Sequence, residues 1–197
     1  MTLKTLTRKL GLMAVLGLTS AAALAQQTKT VDFGQTTVQL SSTFTNALQS
    51  LQVSLGTVSP THVYFGTASF PVTGGALDLD TAAGNILHSG GLTLEAGGIE
   101  VSLQSFIIDT TGSKPVLTGL VAVNNKLLGR LPLFNLALPP GVTLPLQLQG
   151  GFILQLDNVG VTLSPQAAAA LNAVYSIKAF KAGLDIGTAN VFAIVTP

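Results

Sequence analysis

Apolar residues in this chain recur at every second position in short runs, and Gly, Asn, Asp or Pro ends nearly every run before it reaches membrane-spanning length. That pattern commits the chain to half-buried strands joined by tight turns. Residues 36–40, 76–80 and 91–95 alternate in this way. Residues 99–108 follow Ala96-Gly97-Gly98, whose glycines supply the positive φ of a hairpin turn, so 92–95 and 99–108 are predicted to pair. Strands are also expected over 116–123, 127–138, 144–148, 152–156 and 159–163, with breaks at Asn124-Asn125, Pro139-Pro140-Gly141, Gly150-Gly151 and Asp157-Asn158. Links this short imply antiparallel neighbours. The tail, 186–195, reads as a mid-sheet strand that is apolar on both faces.

Two stretches leave the strand rhythm. Ser164-Pro165-Gln166 ahead of Ala167 to Ala170 joins a capping side chain, a proline at the first helical position and strong helix formers, predicting a helix of about ten to sixteen residues. Phe44, Leu48 and Leu51 share one face at i, i+4 and i+7, predicting a shorter helix over 42–51. The expected fold is mainly β: an antiparallel β-sandwich or flattened barrel with two short helices over an edge or open end. No internal repeat or linker divides 26–197, which reads as one domain.

The first 25 residues read as an address. Lys4, Arg8 and Lys9 precede an apolar run from Leu10 to Leu18 and the small-residue site Ala23-Leu24-Ala25, the layout of a signal peptide cleaved before Gln26. The run is too short to be kept as a spanning helix, and no later apolar stretch reads as one. A secreted, periplasmic or cell-envelope protein is expected. Cleavage leaves six basic against eight acidic side chains, a net charge of −2, so the +1 of the whole chain describes the precursor.

Charged residues make up 9% and hydrophobic ones 47%, with a mean hydropathy of +0.57. So few basic groups cannot form a phosphate-neutralising footprint, which excludes a charge-driven nucleic-acid binder. The absence of Cys removes disulfides, thiolate metal sites and thiol catalysis. Neither G-x-S-x-G nor H-E-x-x-H occurs, and two histidines leave little for a triad, so no catalytic residues are assigned and the chain reads as a non-enzyme. Asp78 and Asp80 miss the calcium-loop pattern, since Ala82 stands at its fifth position and Gly84 at its seventh; they read as solvent-facing strand carboxylates, and no metal site is assigned. That leaves His88, at a strand end where a turn would lift its ring toward solvent or a cleft, with Tyr64 and Tyr175 as the only phenols. His62, at a strand start, reads as structural.

Phe70-Pro71-Val72-Thr73-Gly74-Gly75, His88-Ser89-Gly90-Gly91-Leu92-Thr93-Leu94 and Leu117-Thr118-Gly119-Leu120-Val121, in that order, resemble the HtaA-type domain of bacterial secreted and surface haem-uptake proteins. The resemblance covers the middle third of the mature chain. It implies a largely β domain that holds haem in a groove through a tyrosine axial ligand, with the motif histidine in support; His88 falls at that histidine. The family's opening carries Trp and a tyrosine, whereas residues 42–47 have no Trp and put Ala47 at the tyrosine's place. Tyr64 and Tyr175 are the remaining phenols for that role. The expected function is an exported, non-catalytic binding domain for haem or another flat apolar ligand near residues 87–91. The alternative is a structural or adhesive envelope protein that meets other envelope proteins and takes no small ligand.

Overall fold

The computed structural model describes residues 28–196, so the expected signal peptide lies outside the described residues. Eleven strands and two helices follow in the order β1 (Thr28–Leu40), α1 (Ser42–Ser50), β2 (Ser54–Val58), β3 (His62–Tyr64), β4 (Thr67–Asp78), β5 (Gly84–His88), β6 (Gly91–Ala96), β7 (Ile99–Asp109), β8 (Val116–Val123), β9 (Lys126–Ala137), β10 (Ile153–Leu163), α2 (Pro165–Val174) and β11 (Asp185–Thr196). All pairings are antiparallel, and the sheet runs β7-β5-β4-β1-β11-β10-β9-β8 before β8 returns to β7. Eight strands thus close into a barrel, the size at which inward side chains roughly fill the interior. β6 continues along β7 beyond β5 and carries β2, while β3 pairs with β4. Of the two expected architectures, the barrel is the one formed.

Alternation sorts each strand's residues between lumen and solvent. On β11, Ile186, Ala189, Val191, Ala193 and Val195 are buried while Thr188, Asn190 and Phe192 face out. The tail does lie mid-sheet, between β1 and β10, but it buries only one of its two faces. Residues 144–148 form no strand: prolines 139, 140 and 145 leave this segment to cross the barrel end, where Leu146 is buried and its N–H donates to the Leu79 carbonyl at 2.7 Å. The two strands expected over 152–156 and 159–163 form one strand, β10, from Ile153 on, because the register shift at Asp157-Asn158 absorbs one extra residue as a bulge.

The helices close the other end. Ser41 Oγ accepts the Phe44 N–H at 3.0 Å to start α1, which buries Phe44 and Leu48. Ser164 Oγ accepts the Ala167 N–H at 2.9 Å and donates to the Pro132 carbonyl at 2.7 Å, tying the start of α2 to β9. α2 has the expected proline start and ten residues, and its alanines let it lie close on the sheet.

Candidate functional site

Three cavities lie inside the described barrel, and their shared walls give their order. The first, about 40 Å³, sits beneath α2 and is lined among others by Leu94, Leu133, Leu171 and Phe180. The second, about 50 Å³, meets it at Leu92, Phe134 and Ile186. The third, also about 50 Å³, meets the second at Ile108, Leu136, Val159 and Val191 and ends beside Leu146 and the half-exposed Leu138. The first and third share no residue, so the second lies between them. The walls are almost wholly apolar. The polar exceptions are Thr110, whose hydroxyl donates to the Ala82 carbonyl at 2.6 Å, and the pair Thr36 and His88 at the middle cavity.

His88 ends β5 opposite Val72 of β4. Of the two surroundings expected for its ring, solvent or a cleft, it faces the middle cavity and not solvent, because the next two residues turn the chain inward. The Ser89 N–H donates to the Pro71 carbonyl, and Gly90, at φ +80°, passes so near Thr61 that a Cβ there would stand 2.3 Å from its Oγ1. Only glycine fits that crossing. The imidazole is buried and its Nε2 lies 2.8 Å from Thr36 Oγ1, one of the two donating according to the tautomer. Burial pushes its pKa down from 6.5 to about 4, with the nearby backbone of Phe106 and Ile86 opposing in part, yet no group meets Nδ1 at hydrogen-bonding geometry. The ring is therefore neutral at pH 7, with Nδ1 meeting no hydrogen-bonding group of the protein.

The two tyrosines do not join it. Tyr175 caps the end of α2, and its hydroxyl donates to the Leu94 carbonyl at 2.7 Å. Burial first, then the Glu100 and Glu95 carboxylates, push its phenol up to about 12. Tyr64 ends β3 on the outside, packed against Phe65 with ring centroids 4.2 Å apart. Neither lines any of the three cavities. Asp78 is buried rather than solvent-facing: it folds over the β4–β5 turn, its Oδ1 accepting the N–H groups of Asp80 and Thr81 at 2.9 Å. Asp80 lies in that turn and is exposed. His62 is exposed at the start of β3. Among the described residues no group of three His, Asp or Glu side chains could hold a metal ion. Sequence reasoning missed Thr36. Its signal was parity, since it falls on the inward side of β1 with Val38 and Leu40, where a hydroxyl needs a partner.

Neither a scan of protein-family models nor a search of curated proteins finds a match. Solved structures do match. The C-terminal domain of HtaA from Corynebacterium glutamicum aligns with a TM-score of 0.63 at 17% identity, over 85% of this chain and 99% of that one. The N-terminal domain of the same protein gives 0.62 at 12% identity, over 85% and 99%. The haem-binding protein HtaB from the same bacterium gives 0.54 at 10% identity, over 86% and 95%. The chain thus has the HtaA-type domain fold, and at these identities the likeness is one of fold.

Proposed function

We propose that this chain is an exported, non-catalytic binding domain of the bacterial envelope whose barrel lumen takes an apolar small molecule. One observation carries the reading: three cavities with apolar walls, in a row along a closed barrel, around a single buried imidazole. Apolar cavities of this kind stay dry and accept apolar guests. The fold's relation to HtaA and HtaB supports binding over catalysis, and because HtaB is a haem-binding protein, haem is the first ligand to test.

The residues present do not fit haem inside the lumen. The cavities are some tenfold smaller than the roughly 300–1,000 Å³ of ordinary ligand sites. The Tyr175 phenol is tied to a carbonyl and held protonated, and the His88 Nε2 is engaged by Thr36. Tyr64 alone presents an exposed phenol, and it lies outside the lumen.

The test is a pair of titrations of the mature chain, Gln26 to Pro197. Xenon followed by methyl shifts should saturate at Leu92, Ile108 and Val191, and no entry would sink the lumen reading. Haem followed in the Soret region, with His88→Ala, Tyr64→Phe and Tyr175→Phe alongside, should give no saturable shift. A shift lost in Tyr64→Phe would place haem on the outer hairpin, and one lost in His88→Ala would overturn the closed lumen.

A second reading has its own support. At the β3–β4 turn Tyr64 is 69% and Phe65 86% exposed, and Phe65 holds φ +47°, a conformation that aromatic residues rarely adopt. An exposed, strained aromatic tip suits contact with another envelope protein, the structural or adhesive role. Removing both rings should then abolish partner binding and leave xenon uptake unchanged.

A further inference from the structure

We infer that the lumen is shaped for one unbranched alkyl chain of about ten carbons, threaded along the barrel axis from the end crossed by residues 139–152. The inference rests on the lumen reading above and specifies the ligand's form. Each cavity holds about three or four water-sized spheres, so the row holds about ten to twelve, and a methylene is close to a water in size. The space is split in series rather than gathered. A disc or a compact cage needs one wide chamber, while a chain needs only a methylene-wide gap at each division. Those divisions are ends of branched and aromatic side chains, Leu92, Phe134 and Ile186 at one and Ile108, Leu136, Val159 and Val191 at the other, which open by rotamer changes without moving strands.

The way in follows from the two ends. Over the first cavity α2 is fixed by the Ser164 hydroxyl, by Phe180 and by the Tyr175 hydroxyl. Over the third, the covering segment has no regular structure and buries Leu146, with Leu138 half exposed at the rim. A polar end group therefore stays in water beside Leu138, and the chain meets no hydrogen-bonding demand before the Thr36 and His88 pair.

The test compares three guests of the mature chain: xenon, 1-decanol and 1-adamantanol, the last two of equal carbon number and differing only in shape. Decanol should bind saturably and shift methyl resonances in all three cavities, with adamantanol excluded. Ala189→Leu, which fills the middle cavity from β11, should weaken decanol binding at least tenfold without lowering the melting temperature; Ala68→Val on β4 serves if that variant misfolds. Xenon uptake without decanol, or adamantanol binding as well as decanol, overturns the chain and leaves the lumen reading standing. Exclusion of all three, xenon included, overturns both.

Discussion

The two ends of the barrel are closed by different means, and the difference shows where the molecule is built to hold and where to yield. At the helix end, Phe44 and Leu48 of α1, Leu171 of α2 and Phe180 extend the lumen's apolar cluster without a break. Phe180 is additionally bracketed by Asn172, whose amide donates to its carbonyl at 2.8 Å and accepts its N–H at 3.0 Å. At the other end Leu146 is buried, Val142 and Leu148 only partly, and the main-chain bond to Leu79 holds the segment across the opening. Regular, bonded packing on one side and a proline-bearing strap on the other put the local opening energies far apart.

The largest test of that contrast is Phe180→Ala, which leaves a cavity under a helix that cannot follow it down; urea unfolding should show a loss of about 4 kcal/mol. Next is the point between the ends, His88. Its depressed pKa means that the unfolded chain takes up a proton below pH 6.5 while the folded chain does not until about pH 4. Stability is therefore complete above pH 6.5 and falls with pH through that window, by about 3 kcal/mol in all. His88→Leu should flatten the pH dependence of the urea midpoint in this window; an unchanged slope would show that the ring is wet. Leu146→Ala should cost less, about 2 kcal/mol, because an irregular segment can collapse onto the gap. A loss equal to that of Phe180→Ala would erase the distinction between the ends. Smallest is Ser164→Ala, about 1 kcal/mol for the lost cap, and it should speed amide exchange in the first turn of α2 while leaving residues 139–152 unaffected.

Most strands and both helices were legible because alternation and capping act over a few residues, whereas β2 and the longer parts of β1 and β4 were not read. Closure was not legible either, since β7 meets β6 and β8 through hairpins but β5 only past the intervening β6, and no local signal says that a ring results. The strap was mistaken for a strand because Leu144, Leu146 and Leu148 alternate; three prolines nearby were the stronger evidence. At the site, several residues of the motif that carried the family resemblance have an architectural part. Phe70 lines the middle cavity, and Gly75, at φ +144°, lies where a Cβ would stand 2.2 Å from the Asn85 carbonyl. Gly90 makes the crossing that buries His88. Gly75 lets β5 lie close on β4, and Gly90 lets the chain cross beside Thr61. The burial of Asp78 escaped notice because its turn falls within a run that alternates.

The ring is completed by β1 against β11, with Thr30 opposite Thr196 and Leu40 opposite Gly187. The first described strand thus waits for the last described one, across nearly the whole described sequence. Folding of this kind is slow, because its decisive contacts are the most distant along the chain. Until residue 196 arrives, β1 and β10 each have an unpaired edge, so a nascent or C-terminally clipped chain is sticky where the finished barrel is not. The order of the strands thus holds back closure of the ring until the last described strand is in place.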